Sequence, residues 1–341
     1  VYGLPGATLH LAKGGQPVYL RHFDAYDDST RIPVASASKW LSALLIARLV
    51  EDGRMDWQDT IGDYLPDAPV DKRGITLRQL FSHTSGLPGG ESGCLTRRDI
   101  TLDECAQQIL QMNLIGTPGQ VFSYGGYSMQ VAGRLAEIAT GQTWDEVFQA
   151  ELVRPLGLQG TDFATGSPLP GYIPVNNPRI AGGVRSTAAD YARVMAMVAA
   201  RGAIRGGRFL SPETIDYMAL EHSAGATVVS TPFPDSLGYG IGQWREAEDA
   251  LGVAIRVSSP GAFGTYPFVD WRQSVAGVYL VRGEMPLMKV DEIALVRLCL
   301  QQLDFVRYQA PPRTVLTKPE PPRSVTSKPR VEKLDGGRAG L

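Results

Sequence analysis

Strand-like alternation stands at both ends of the globular part of this chain, and helical periodicity fills the interval. Near the start, Ala7-Thr8-Leu9-His10-Leu11-Ala12 alternates, Gly14-Gly15 can turn, and Val18-Tyr19-Leu20 resumes, which is the pattern of a β-hairpin. Far along the chain, Val253-Ala254-Ile255-Arg256-Val257 and Ser274 to Val281 read as strands, with a third at Gly264 to Val269. Isolated strands cannot satisfy their backbone groups, so the two ends are expected to meet in one sheet. Everything between must leave that sheet and return. The fold class this predicts is α/β of the α+β type: an antiparallel sheet from both chain ends flanked by helices, with an inserted, mostly helical domain. The expected boundaries are an α/β part at about 1–65 and 220–309, a helical part at about 66–219, and a tail at 310–341.

The middle is read from its helix starts. Thr76-Leu77-Arg78-Gln79, Thr101-Leu102-Asp103-Glu104, Thr143-Trp144-Asp145-Glu146 and Thr187-Ala188-Ala189-Asp190 have capping-box spacing. A helix over Ser128 to Thr140 is stopped by Gly141, and Ser211-Pro212-Glu213 opens another with proline at its first position. Long loops are expected at 86–100 and 160–186. An amphipathic helix is expected from Leu287 to Phe305. Beyond it, Pro311 to Pro319 recurs as Pro321 to Pro329, two Pro-, Lys- and Arg-rich copies that read as an extended linker without a catalytic part.

The apolar share of 43% is ample for a core, and the net charge of −2 points to neither a nucleic-acid partner nor a channel for acidic substrates. No run is long and apolar enough to span a membrane. Cys94 and Cys105 flank a loop and could close a disulfide, while Cys299 reads as a small core residue. The four histidines, His10, His22, His83 and His222, are scattered without ligand spacing, so no metal or cofactor is expected. The chain begins at Val1 rather than methionine, which reads as a processed chain; an exported location, periplasmic or secreted, is favoured over the cytoplasm. The oligomeric state is not legible.

One motif carries chemistry. Ser36-Ala37-Ser38-Lys39 opens a helical pattern whose apolar residues Leu41, Leu44, Leu45 and Leu49 keep helical spacing up to Gly53. Serine and lysine three apart share one helix face, and a serine at a first helical turn sits among unpaired N–H groups. A desolvated lysine can deprotonate such a serine, making Ser36 a candidate nucleophile and Lys39 its base. By composition a Ser-x-x-Lys is expected about once in a chain of this length, so its surroundings decide its weight. Tyr124, in Pro118-Gly119-Gln120-Val121-Phe122-Ser123-Tyr124-Gly125-Gly126, is the candidate proton shuttle, since a lysine beside a phenol favours the phenolate.

An ordered series of stretches then resembles the serine β-lactamases of class C, with the related penicillin-binding proteins and family VIII carboxylesterases. They are Val34 to Lys39, Gly53-Arg54-Met55-Asp56 with Asp59 and Tyr64-Leu65-Pro66, and Ile75 to Pro88 with its His83-Thr84-Ser85-Gly86. Pro118-Gly119 leading to Tyr124, Leu152 with Pro155-Leu156-Gly157-Leu158, Ala181 to Thr187, and Tyr239-Gly240-Ile241-Gly242 complete the series. The resemblance implies the β-lactamase-like fold with an active site between its two parts. It implies Ser36 as nucleophile, Lys39 as base partner, Tyr124 as shuttle and a structural His83. The chain departs from the family at two points. The second motif, usually Tyr-x-Asn, is Tyr124-Gly125-Gly126 and lacks the amide that steadies the lysine. The third, usually a cation, then Thr or Ser, then Gly, is matched by Ser259-Pro260-Gly261-Ala262, which keeps only the glycine. Gly261 would admit substrate, and the N–H groups of Ser36 and Ala262 would form the oxyanion hole.

A buried carboxylate without a charge partner costs several kcal/mol, so loss of that cation argues for small neutral esters. The expected function is a serine hydrolase working through an acyl-enzyme, a carboxylesterase whose substrate is a small-molecule ester. The alternatives are a β-lactam hydrolase or D-peptidase, and a non-catalytic binding protein with a decayed site. Tyr239, Trp244, Phe263 and Tyr266 are candidates for pocket lining or for core.

Overall fold

A computed structural model describes residues 4–163 and 175–283. The expected helix at 287–305, Cys299 and the tail copies lie outside the described residues. Six strands form one antiparallel sheet in the order Gln16–Asp24, Gly6–Lys13, Val275–Val281, Tyr266–Asp270, Ala254–Ser258, Trp244–Glu248. The N-terminal hairpin is thus stitched to the C-terminal strands, with Leu9 opposite Tyr279 and Leu11 opposite Gly277. Alternation sorts the side chains. Val257, Val269, Ala276, Val278 and Leu280 face the main core, where they meet Tyr191, Val194 and Val198 of the Ala188–Ala199 helix. Leu9, Leu11, Tyr266, Phe268 and Val275 form a separate cluster.

The Ser38–Glu51 helix is buried on nearly every side, with Trp40, Leu41, Leu44, Leu45 and Ile46 fully enclosed. A helix apolar all round belongs inside, and Ala43 and Ala47 let neighbours approach it closely. It ends where Gly53 takes φ 73°. Capping boxes form at Thr76, Thr101 and Thr143. At Thr187 the hydroxyl accepts from Asp190 N–H, but the Asp190 carboxylate is used elsewhere, accepting from the N–H groups of Gln159 (3.0 Å) and Gly160 (2.7 Å). The Tyr127–Thr140 helix closes at Gly141, and Ser211 caps Pro212–Ala219.

Trp244–Glu248 was not expected as a strand. Its sequence, Trp-Arg-Glu-Ala-Glu, has no strand alternation, and pairing with Ala254–Ser258 decides its state. A disulfide joins Cys94, in the short Gly93–Thr96 turn, to Cys105 of the Leu102–Leu110 helix. Among the described residues no helix is long and apolar enough to cross a membrane.

Candidate functional site

Ser36 stands in a 3₁₀ turn, Ala35–Ala37, that runs straight into the Ser38–Glu51 helix. Ala35 has φ 47°, a left-handed conformation that costs a non-glycine residue about 1 kcal/mol or more. The turn is held by the segment after the Ala254–Ser258 strand. Ser259 Oγ donates to Ser36 O at 3.4 Å, and a Cβ at Gly261 would lie 2.1 Å from Val34 O, so only glycine fits there. The third-motif stretch is therefore beside the serine, and Ser36 and Ala262 line the same cleft.

Lys39 is fully buried. Its ammonium has three hydrogens and meets three acceptors: Ser36 Oγ at 3.1 Å, Ala181 O at 3.1 Å and Glu91 Oε1 at 3.3 Å. It also stands 4.5 Å from the centroid of the Tyr124 ring. Burial opposes its charge, but the Glu91 carboxylate and then the Tyr124 hydroxyl outweigh burial and hold Lys39 above the ordinary lysine value. Lys39, read from the sequence as a base, has every donor engaged when protonated, and its surroundings favour that charged form. Glu91 is held below the usual carboxylate range, since Lys39 and Arg179 outweigh its burial.

Tyr124 is wedged among aromatic rings, 4.6 Å from His83, 5.1 Å from Trp244 and 6.0 Å from Tyr239 by centroids. Its N–H donates to Ser230 O at 3.0 Å, which fixes the backbone. His83 is buried with neither ring nitrogen hydrogen-bonded, and burial followed by the nearby Lys39 charge pushes its pKa well down. It packs Tyr124 as a neutral ring. Of the aromatic candidates, Phe263 lines the cleft at 38% exposure, whereas Tyr239, Trp244 and Tyr266 are core.

The altered second motif has a structural explanation. A Cβ at Gly126 would lie 2.8 Å from Leu95 Cδ1 and 3.2 Å from Glu91 Oε2, so the Glu91 loop fills the space beside that position. Gly126 N–H donates to Gly90 O at 2.7 Å, docking that loop. Glu91 thereby reaches Lys39, and Arg179 reaches Glu91 Oε2 at 2.8 Å. Glu91 and Arg179 were both missed in the sequence. Glu91 sits in an aperiodic glycine-rich loop, and nothing local marks it as a lysine partner.

The cleft holds about 1060 Å³ and is lined, besides Ser36 and Glu91, by six arginines: Arg31, Arg97, Arg98, Arg179, Arg185 and Arg282. Four of these arginines are paired: Arg31 and Arg185 with Asp162, Arg97 with Asp99, and Arg179 with Glu91. The third-motif cation is absent from its strand, and the arginines of the lining come from other elements.

The family model described as Beta-lactamase matches residues 1–301. A putative β-lactamase from Bacteroides dorei DSM 17855 has the same fold, with a TM-score of 0.74, 33% identity, and coverage of 82% of this chain and 86% of that one. A family VIII carboxylesterase superposes with a TM-score of 0.68 at 18% identity, covering 82% and 87% of the two chains, a likeness of fold alone. By sequence, the chain is similar to D-alanyl-D-alanine-carboxypeptidase/endopeptidase AmpH of Escherichia coli (strain K12), 23% identical over 322 residues, 86% of this chain and 83% of AmpH. Protein flp of Staphylococcus aureus (strain MW2) is 25% identical over 175 residues, 47% of this chain and only 35% of flp, so the match spans about a third of that relative. With a family match that runs through both ends of the sheet and every residue of the Ser36 cleft described above, the chain belongs to the β-lactamase family, whose members are serine hydrolases.

Proposed function

We propose that this protein is a carboxylesterase acting through an acyl-enzyme on Ser36. The observation that carries the reading is the 3.1 Å hydrogen bond from the buried Lys39 ammonium to Ser36 Oγ. Ser36 Oγ attacks the ester carbonyl carbon and passes its proton to Tyr124, which enters the step as its phenolate, while the Lys39 ammonium offsets the developing alkoxide. The carbonyl oxygen becomes an oxyanion held by the N–H groups of Ser36 and Ala262, at the start of a 14-residue helix whose dipole favours negative charge there. The carbon–alkoxy bond then breaks, and Tyr124 returns its proton to the departing alcohol. Water, deprotonated by Tyr124, attacks the acyl carbon, and the Ser36 oxygen leaves with that proton. The disulfide fits an oxidising compartment, in keeping with an exported protein.

The experiment compares wild type with Ser36→Ala and Tyr124→Phe on a short nitrophenyl ester, with fluorophosphonate labelling alongside. Ser36→Ala is expected to abolish both turnover and labelling. Tyr124→Phe is expected to lose about 100-fold or more in rate, the size of a general acid–base contribution. Equal turnover in wild type and Ser36→Ala would sink the assignment of the nucleophile. The similarity to AmpH favours a second reading, hydrolysis of a β-lactam or a D-peptide bond. Turnover of a chromogenic cephalosporin comparable to that of the ester would support it.

A further inference from the structure

An ester carbonyl attacked by Ser36 has its directions set by the groups around it. Its oxygen points to the N–H groups of Ser36 and Ala262, and its alkoxy oxygen lies beside Tyr124, which must protonate it. The acyl branch then points away from Tyr124. The cleft of about 1060 Å³ is lined by Ser36, Ala262 and Glu91, whereas the half-buried Tyr124 is not among the described residues of its wall. The open volume therefore lies on the acyl side. It is at the upper end of the range for small-molecule sites and far more than an acetyl group fills. Charge does not single out a ligand for it. Arg31 and Arg185 are paired with Asp162, Arg97 with Asp99 and Arg179 with Glu91, and Arg98 has a partner as well. The wall does present an aromatic face. Of the exposed large apolar side chains among the described residues, Phe263 is the one in this cleft. Phe263 follows Ala262 directly, on a turn that is fixed by its own hydrogen bonds. Gly261 N–H donates to Thr265 O at 2.8 Å, Gly264 N–H to Gly261 O at 2.9 Å, and Gly283 N–H to Phe263 O at 2.7 Å. A single exposed ring elsewhere on the surface would need no explanation. This ring stands one residue from an oxyanion donor, and Leu95 and Phe163 share its wall.

We propose that the substrate is an ester of a ring-bearing acid, with its bulk on the acid side rather than the alcohol side, and that its acyl group occupies the cleft against the Phe263 ring. This rests on the carboxylesterase reading and deepens it. The ester stays neutral, as expected from the sequence, but it is not small on its acid side. An aromatic acyl group gains offset-stacked or edge-to-face contact with Phe263 and is held where the Ala262 N–H meets the carbonyl oxygen. Phe263 is thereby the residue that sets acyl specificity.

The test uses two isomers, methyl 4-phenylbutanoate and 3-phenylpropyl acetate, which carry the same ring on the acid side and on the alcohol side. With each kcat/KM divided by the ester's own rate constant with hydroxide, methyl 4-phenylbutanoate is expected to be favoured by about fivefold or more. Phe263→Ala should at least halve that ratio, and Phe263→Tyr, which keeps the ring, should retain it. A general loss of rate in a variant cancels in the ratio, so a disturbed Ala262 N–H does not imitate the effect. A smaller ratio in the wild type, a ratio that Phe263→Ala does not halve, or one that both substitutions cut alike overturns the proposal. If neither isomer is turned over, calorimetric titration with methyl 4-phenylbutanoate decides the aromatic site alone. Binding that weakens in Phe263→Ala and persists in Phe263→Tyr supports it, and no binding, or binding that Phe263→Ala leaves unmoved, overturns it. The carboxylesterase reading itself fails only if the short nitrophenyl ester stays intact as well.

Discussion

Lys39 has three hydrogens and three acceptors within 3.3 Å, so the charged form is the one its surroundings are built for. Glu91 is the strongest of the attractions that outweigh burial, with Tyr124 next. The folded pKa is raised, so a function that needs the ammonium is complete below that pKa and is lost as pH climbs through it. Glu91→Gln removes the attraction and leaves the burial, so the alkaline limb of the pH–rate profile should move down by about one unit or more. Were Lys39 instead the free-amine base read from the sequence, the same substitution would raise the rate at neutral pH, and a pH–rate series on Glu91→Gln separates the two. Gly126 belongs to the same account. The amide usual at that position has no room beside Leu95, and the carboxylate of Glu91 stands near the vacated place.

The Glu91 loop is held as an element by a disulfide and by buried amides. Asn177 Nδ2 donates to Cys94 O and Arg97 O, both at 2.8 Å, and Gln130 Nε2 donates to Asn177 Oδ1 at 2.8 Å. Loop, helix and cleft wall are thus tied together behind Arg97 and Arg98. Closing a loop with a disulfide removes freedom from the unfolded chain, a contribution of about 2–3 kcal/mol for one of this length. Cys105→Ser should therefore lower Tm by about 5 °C and raise KM more than it lowers kcat, because it loosens the cleft wall and leaves Ser36 and Lys39 on their helix. An unchanged Tm and KM would show that the amides alone hold the loop. The strand Trp244–Glu248 makes a related point about elements. Trp244 is buried in the cluster that wedges Tyr124, so a segment with no strand signature supports the proton shuttle from the sheet edge.

For the whole molecule, one buried carboxyl makes stability depend on pH. Asp145 is 7% exposed, and its pKa is pushed from an ordinary 3.8 up to about 6 by burial first, then by Asp162 and Glu146. The native state binds this proton more tightly than the unfolded chain does. Its stabilisation is complete below the unfolded value and is lost as pH rises through about 6, above which an unfavourable charge is carried. Asp145→Asn should raise Tm by about 4 °C at pH 7.5 and change it little at pH 4. Thermal melts at the two pH values check this, and equal shifts at both would remove ionisation as the cause. The joining of both chain ends in one sheet has a functional consequence as well. It brings the end of the Val275–Val281 strand, which Arg282 follows, to the same cleft as the turn that carries Ser36.

Local chemistry wrote much of this fold into the sequence. Alternation at Ala7–Ala12 and Ser274–Val281, threonine caps at Thr76, Thr101 and Thr143, and closing glycines at Gly53 and Gly141 act over a few residues, so they could be read without the fold. The Ser36–Lys39 pair was legible for the same reason, being one turn of one helix. Tyr124 and Gly261 could be placed only because ordered motifs relate them to Ser36. Tertiary structure decided what depends on distant parts meeting. The Glu91 carboxylate touches a lysine 52 residues away. Six arginines spread between positions 31 and 282 line one cleft in a chain whose net charge is only −2. Net charge is a sum over the chain, whereas a substrate responds to the local field. That field depends on which residues the fold brings to one wall, and no stretch of sequence contains that information.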